Sequence, residues 1–221
     1  CVAAFDTDGD GELSFAEAAA VTDLNALDLY DKSFVSFDEF KYFTGVTEIP
    51  SNYFYGCQNL KSISLPKSLK TINQYAFSHC EDLEVVNLPE GLESIKNRAF
   101  DNCYLTSLYI PGTVKSISSD SFMGCYNLSS IAVDEKNENY DSRDNCNAII
   151  ETSTNELVLG GKNTIIPNTV TSIGYYSFAE CSSLTSVKLS NNATSMGVGA
   201  FYGCSSLMSI TIPKGVTSIE N

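Results

Sequence analysis

The amino-acid sequence predicts a repeat solenoid, in which coils of about 23 residues stack on one another. Three recurring features predict this fold. A phenylalanine recurs at positions 54, 77, 100, 122, 178 and 201, a cysteine follows at the third position after each phenylalanine, and a leucine-rich triplet follows each cysteine. A unit of this length does not bury its apolar side chains alone, so it has to stack on its neighbours.

Phenylalanine and cysteine occupy fixed positions in this repeat. The phenylalanines are Phe54, Phe77, Phe100, Phe122, Phe178 and Phe201, and the cysteines are Cys57, Cys80, Cys103, Cys125, Cys181 and Cys204. Stacking places equivalent residues about 5 Å apart. Parallel side chains on successive coils fit a disulfide poorly, and cysteine behaves as a small buried hydrophobe, so we expect an unbridged ladder. Zinc is disfavoured because the cysteines are too widely spaced to form the Cys-x₂₋₄-Cys pairs of zinc sites.

Each cysteine leads into a predicted strand. In the triplet Leu60, Ile63 and Leu65, the last two residues alternate as in a strand with one buried face. Proline often ends this strand, because it has no N–H to continue a ladder. A second apolar pair, such as Leu69 with Ile72, then returns the chain to the aromatic residue. We therefore expect about seven coils, each with one strand and one return segment.

The repeat resembles the BspA-like leucine-rich repeats of bacterial surface proteins, since its sequence pattern is Pro-x-x-Val-x-x-Ile-x-x-x-Ala-Phe-x-x-Cys-x-x-Leu. The resemblance covers residues 46–221, with one residue missing from the third unit at Tyr104. It implies a leucine-rich repeat fold and an extracellular or cell-surface bacterial protein that binds host or neighbouring-cell proteins as an adhesin does.

Composition is consistent with a folded, acidic protein. Of 221 residues, 43% are hydrophobic and 18% are charged, and the net charge is −14. This charge disfavours nucleic acid and anionic membranes as partners, because both need clustered lysine and arginine. No apolar run of about twenty residues is present, so we expect no membrane insertion.

Residues 1–45 precede the repeat and contain ten of the 27 acidic residues. Three aspartates, a glycine and a glutamate stand at positions 1, 3, 5, 6 and 12 of an EF-hand loop that begins at residue 6. The candidate ligands are Asp6, Asp8, Asp10, Glu12, Ser14 and Glu17, with Glu12 coordinating through its main-chain carbonyl. The sequence therefore predicts one Ca²⁺ site.

A second, decayed copy of this loop begins at residue 28. Its remaining matches are Asp28, Val35, Ser36 and Glu39, while Tyr30, Lys32 and Ser33 replace ligands and glycine. We expect a partner loop without calcium. Each loop ends in a Ser-x-x-Glu capping box, which predicts helices near 14–22 and 36–43.

The duplicated loop and helix resemble a dockerin, which implies a cohesin partner. The alternative, which we favour, is that residues 1–45 cap the first coil, with Phe37, Phe40 and Phe43 packed on its edge.

The coil between Val133 and Ile166 is longer than the others. Its insertion, 134–163, begins with a charged run that has no metal-loop spacing. Two apolar runs follow at 148–150 and 157–159, and the polar stretch between them predicts a hairpin.

Two exposed surfaces follow from the repeat. The outward strand positions are Ser62, Ser107, Ser130, Ser186 and Ser209, with Val85 as the exception. Tyrosines beside the Phe-x-x-Cys turn are Tyr53, Tyr55, Tyr75, Tyr175, Tyr176 and Tyr202. Exposed tyrosines suit protein recognition. Solvated turns with partly buried rings are an equally open interpretation.

No constellation for catalysis is present in the sequence. His79 is the single histidine and occupies a turn position, so it does not converge with its neighbour Cys80. We predict a non-enzymatic protein-recognition module. The alternative is a structural spacer or assembly module docked through its EF-hand pair. The last unit stops before its Ala-Phe turn, so we expect either a longer native chain or another molecule covering this end.

Overall fold

Successive coils stack through short parallel strands. The computed structural model describes residues 1–27 and 32–219, without the side chains of Val2 and Ser218. It makes about eight coils, one more than the sequence count. One coil begins earlier than expected, since a strand at Ser36–Phe37 pairs with the strand at Ser62–Ile63.

The α-helices of the described chain are short and lie near the N-terminus. Helix α1 spans Val2–Phe5 and α2 spans Phe15–Ala20, and 3-10 helices span Asp38–Tyr42 and Arg143–Asn145. The strands are β1 Ser36–Phe37, β2 Glu48–Ile49, β3 Ser62–Ile63, β4 Thr71–Ile72, β5 Ser94–Ile95, β6 Ser107–Ile110, β7 Ser116–Ile117, β8 Ser130–Val133, β9 Tyr140–Asp141, β10 Ala148–Glu151, β11 Glu156–Gly160, β12 Ser172–Ile173, β13 Val187–Lys188, β14 Ser195–Met196, β15 Ile210–Thr211 and β16 Ser218–Ile219.

The strands form two rows on different sides of the coil. The leucine triplets supply the pairs β6–β8 and β13–β15 and strand β3, which pairs with β1 of the N-terminal segment. We call the outward side of these strands the strand face. The return segments supply the longer sheets, β2-β4-β5-β7 and β16-β14-β12-β11-β10-β9. The return segment is therefore a second strand rather than only a connection. Its Ser-Ile or Thr-Ile pair recurs in the same register and directs the isoleucine inward.

The repeated phenylalanines form a stacked column inside the coils. The rings of Phe54, Phe77, Phe100 and Phe122 follow one another at centroid distances of 5.0, 5.1 and 5.3 Å with interplanar angles of 8°, 5° and 1°. Phe178 and Phe201 continue the pattern beyond the insertion at 5.1 Å. This column is the centre of the hydrophobic core.

The cysteine ladder is unbridged, as predicted. All eight cysteines are free thiols. The thiol of Cys80 donates to the carbonyl of Phe54 in the preceding coil at 3.2 Å, and Cys103 donates to Phe77 at 3.1 Å. Burial raises the pKa of the Cys125 thiol to about 12, which keeps it protonated and able to donate. The thiol thus satisfies a turn carbonyl in addition to filling space.

Two turn positions of the repeat have left-handed backbone. They lie two residues before and two residues after the phenylalanine. The first position includes Tyr75 (φ 57°) and the second includes His79 (φ 59°) and Gly56 (φ 70°). Left-handed backbone favours glycine and asparagine, which explains why those residues recur after the phenylalanine. His79 is thus a turn residue, as its sequence position indicates.

The insertion forms the predicted hairpin. Strands β10 and β11 pair antiparallel, and β11 then pairs in parallel with β12, so the hairpin belongs to the return sheet. This coil has no phenylalanine in the column. Backbone at Gly160 takes that place, since a Cβ there would lie 2.2 Å from Cε1 of Phe178. The column is interrupted here, and the buried side chains form two clusters.

The N-terminal prediction is partly correct. Ser14 caps α2, and its reciprocal hydrogen bonds with Glu17 form the predicted capping box. The second predicted helix is wrong over its first residues, because Ser36 lies in β1 and caps nothing. Backbone pairing with β3 occupies that segment, and the 3-10 helix after it has no side-chain cap. Phe40 and Phe43 are fully buried, and Phe40 meets Phe54 of the first coil at 5.9 Å.

Candidate functional site: an acidic loop and an aromatic edge

Three aspartates of the first loop converge. Carboxylate oxygens of Asp6, Asp8 and Asp10 lie within 4.8 Å of one another, the one such group of potential metal ligands among the described residues. The two oxygens of Asp6 accept backbone N–H groups from Gly9 at 2.7 Å and Gly11 at 3.0 Å. Gly11 has φ 88°, the left-handed turn for which the sixth loop position needs glycine.

The carboxylates of Glu12 and Glu17 are not part of this group. Glu17 accepts from Thr7 through Oε1, at 2.5 Å from the backbone nitrogen and 2.8 Å from the hydroxyl, and from Ser14 through Oε2. These bonds, first those from the Ser14 and Thr7 backbones, lower the Glu17 pKa to about 2. Glu12 is exposed, and its N–H donates to Asp10. Ligation by Glu17 would replace its bonds to Thr7.

The chemistry of the converging donors fits a hard divalent cation. Calcium prefers oxygen ligands, and carboxylates from alternate residues of a loop are the usual source. Three anionic groups held this close repel one another unless a cation lies between them. Asp6, Asp8 and Asp10 are therefore the residues best placed to hold such an ion.

The decayed second loop is partly outside the described residues, since Asp28 and Tyr30 belong to 28–31. Its lysine is described. Lys32 donates to the carbonyl of Tyr55 in the first coil, and its ammonium lies 5.8 Å from the Tyr55 ring centroid. The ammonium group is thus engaged with the solenoid.

The strand face is less uniform than the sequence predicts. Among the outward serines, Ser130, Ser186 and Ser209 are exposed, while Ser62 and Ser107 are half-buried. A second outward row, which the sequence analysis missed, lies two residues further along each strand. In this row Tyr109 of β6 is 48% exposed, and Ile165, at the equivalent repeat position but outside the described strands, is 75% exposed. Strand alternation was the signal for Tyr109, because residues two apart share a face, and the repeat position was the signal for Ile165.

The turn edge presents a row of aromatic rings. Among the six predicted tyrosines, Tyr55, Tyr175 and Tyr202 are exposed, and Tyr53, Tyr75 and Tyr176 are partly buried. Tyr53 donates to the carbonyl of Leu24 at 2.8 Å, so it fastens the N-terminal segment instead of facing solvent.

Two further tyrosines at this edge were missed by the sequence analysis. Tyr104 and Tyr126 each follow a ladder cysteine, are 42% and 39% exposed, and contact each other edge to face at 5.7 Å. Tyr55 and His79 form a similar pair at 5.5 Å. We define these four residues as the aromatic edge. The equivalent repeat positions of Tyr104 and Tyr126, each directly after a ladder cysteine, were the available signal.

Stacked coils with parallel strands in register are those of a leucine-rich repeat solenoid, which is a protein-interaction fold. The chain belongs to the BspA-type leucine-rich repeat family, whose model matches residues 47–158 and 158–221 in six copies. None of the curated proteins matches it.

Solved structures share this architecture. A leucine-rich repeat protein from Eubacterium ventriosum is 25% identical with a TM-score of 0.65, covering 80% of this chain and 54% of its own. A leucine-rich cell surface protein from Faecalibacterium prausnitzii is 27% identical with a TM-score of 0.54, covering 84% of this chain and 72% of its own. The pneumococcal vaccine antigen PcpA, 19% identical with a TM-score of 0.55, shares the fold over 82% of this chain and 39% of its own. The chain thus spans about half of the Eubacterium protein.

None of the helices in the described parts of the chain has both the length and the apolar character that a membrane span requires.

Proposed function

We propose that this protein is a non-enzymatic recognition module of the bacterial cell surface or exterior, which binds a host or neighbouring-cell protein as an adhesin does. The family is one of protein interaction, and a structural relative is described as a cell surface protein. The net charge of −14 disfavours binding to nucleic acid and to anionic membranes, because both are negatively charged.

The aromatic edge is the observation that carries this proposal. Four aromatic side chains from four coils form two contacting pairs beside the Phe-x-x-Cys turns. Tyrosine gives large contact area for little loss of side-chain entropy, and it is enriched where proteins bind one another. Rings already held by a neighbouring ring lose even less freedom when a partner binds.

Binding to a panel of immobilised extracellular-matrix proteins tests the proposal. We expect saturable binding to at least one of them, and at least about a tenfold loss of affinity in the double variant Tyr104→Ser, Tyr126→Ser. The matched control is Tyr42→Ser, which removes an exposed tyrosine outside the aromatic edge. Absence of saturable binding to every member of the panel would favour the structural spacer instead. Equal losses in the double variant and the control would exclude the aromatic edge.

We also propose that the loop from Asp6 to Glu17 holds one Ca²⁺. The closeness of the three aspartate carboxylates supports this. A bound ion would fix the loop from which α2 begins, and α2 packs beside the first coil through Ala18.

Titration calorimetry is expected to give one site for Ca²⁺, abolished by Asp8→Asn and retained in the exposed control Asp82→Asn. Two equal sites, or none, would contradict this assignment. A structural spacer docked through its EF-hand pair would bind the same ion. The calorimetric result is therefore independent of the adhesin proposal.

A further inference from the structure

A cavity lies where the insertion meets strand β8. A volume of about 560 Å³ lies between strand β8 and the loop 141–147. This is within the usual range for sites that bind small molecules. Ile131, Ala132 and Val133 form one wall, and polar side chains of the loop form the opposite wall.

The two walls are tied together by an asparagine. Oδ1 of Asn147 accepts the N–H of Ile131 at 2.8 Å, in place of a neighbouring strand. The Nδ2 of Asn147 is buried and has no acceptor among the described residues. Asn147 therefore holds the loop against β8 on the side of that strand where Ile131 has no neighbouring strand.

The polar wall is held rigidly. The guanidinium of Arg143 donates to Asp141 through Nε at 2.8 Å and Nη2 at 2.6 Å, and to Asn155 through Nη1 at 2.7 Å. A guanidinium has five N–H groups, so two remain for another acceptor. Its position is therefore fixed before any ligand arrives.

Backbone strain is concentrated in the same loop. Asp144, Asn145 and Asn147 have φ of 59°, 51° and 56°. Other left-handed residues that are not glycine lie, within the described chain, at the two repeating turn positions or in the hairpin turn at Asn155. Strained backbone outside such turns is typical of binding loops, whose geometry the surrounding structure maintains.

The charges around the cavity narrow the class of ligand. Asp134, Glu135 and Asp141 outnumber the one cation of its described lining, Arg143, so a small anion is repelled. A metal ion is not favoured either, because the carboxylates here do not converge as those of the N-terminal loop do among the described residues. An uncharged molecule with many hydroxyl groups both donates and accepts, which matches this mixture of amide, carboxylate and guanidinium groups.

We propose that this cavity binds an uncharged saccharide of one or two sugar units. The side chains of Ala132 and Val133, which are only partly buried, would face the C–H side of the sugar ring. Glu135, Arg143 and Asn145 would exchange hydrogen bonds with its hydroxyls. Tyr109 borders this wall, with its hydroxyl 2.5 Å from Asp134. This site is distinct from the aromatic edge and does not depend on the protein-recognition proposal.

Titration of isotope-labelled protein by NMR with the methyl glycosides of glucose, galactose, mannose and N-acetylglucosamine tests this inference. At least one of them is expected to shift the signals of residues 131–147 saturably. Asn145→Gly removes the side chain at a backbone angle that glycine prefers, so the fold is kept while affinity falls at least about fivefold. Asn52→Gly, the same change at another exposed left-handed asparagine, serves as the control.

Three outcomes would overturn the inference. None of the four glycosides shifts these signals; methyl glucuronide or inorganic phosphate binds more tightly than every neutral glycoside; or Asn145→Gly and Asn52→Gly bind equally well.

Discussion

At the scale of single residues, the repeat is explained by what each side chain contacts in the next coil. Phe100 stacks between Phe77 and Phe122, and Cys103 bonds to the carbonyl of Phe77. The two residues therefore contribute differently. The ring fills volume between coils, and the thiol completes a hydrogen bond.

Phe100→Ala is expected to cost about 3–5 kcal/mol of unfolding free energy, because a ring enclosed on both sides leaves a cavity. Cys103→Ala is expected to cost clearly less, since it removes a small side chain and one weak hydrogen bond. Denaturant unfolding of both variants measures the difference. Equal losses would mean that the column is not the main element holding neighbouring coils together.

A buried carboxylate gives the protein a predictable response to pH. Asp101 is 4% exposed, and burial raises its pKa above the ordinary value of 3.8, although Arg98 and His79 oppose this. A raised pKa means that the folded state holds the proton more tightly than the unfolded state. The stability that this group contributes is therefore present below the unfolded pKa and is lost as pH rises through the folded one.

Asp101→Asn is accordingly expected to raise the melting temperature at neutral pH and to leave it unchanged at a pH below the ordinary aspartate value. It keeps an oxygen that accepts from Ser78. Melting curves across this pH range measure the effect, with the exposed Asp82→Asn as control. A melting temperature lowered at neutral pH would show that the charge interacts favourably with Arg98 more than burial penalises it.

At the scale of elements, the backbone of the insertion hairpin occupies the place that a phenylalanine of the stacked column has in the other coils. Gly160 lies on the face of Phe178, and its N–H donates to Ser177 at 2.8 Å. No side chain fits between the strand and the ring. Glycine is therefore required here by close approach of a ring to the backbone, and not by its backbone angle.

Gly160→Ala is expected to destabilise the protein by about 1–3 kcal/mol through overpacking against Phe178. Gly112→Ala is the matched control, because its added Cβ would meet no atom closer than 3.4 Å. Unfolding free energies of the two variants provide the comparison. If both substitutions were equally tolerated, the hairpin could move away from the ring at little cost.

At the scale of the whole molecule, the N-terminal segment shares one core with the coils that follow. Buried residues from Ala18 to Leu159 form a continuous cluster. An ion that orders the acidic loop would therefore stabilise the first coils as well. The boundary at residue 45 between an N-terminal cap and the repeat solenoid remains a prediction.

Calcium is expected to stabilise the folded protein by mass action, by about 2.7 kcal/mol when its concentration is 100 times Kd, and so to raise the melting temperature. Chelation is expected to reverse this. Asp10→Asn removes a carboxylate of the proposed site and should make the melting temperature independent of calcium. Scanning calorimetry with and without chelator provides the measurement. A calcium response that persists in Asp10→Asn would place the ion elsewhere.

Spacing and repetition in the sequence were sufficient to predict the solenoid, the phenylalanine and cysteine ladders, the insertion hairpin and the capping box at Ser14. Each depends on local spacing or on repeated positions, because stacking brings the equivalent residues of successive coils into contact. Spacing also indicated the N-terminal candidate ligands, of whose carboxylates those of Asp6, Asp8 and Asp10 come together among the described residues.

The remaining features depended on tertiary packing. Ser36 entered a strand because β3 offered it a partner, which no capping signal within residues 36–39 reveals. The pairing of the return segments into sheets, the ring contact between Tyr104 and Tyr126, and the cavity beside β8 all arise where separate coils or the insertion meet. Contacts between segments distant in the chain depend on register and on the path of the insertion, and those are fixed by packing rather than by local pattern.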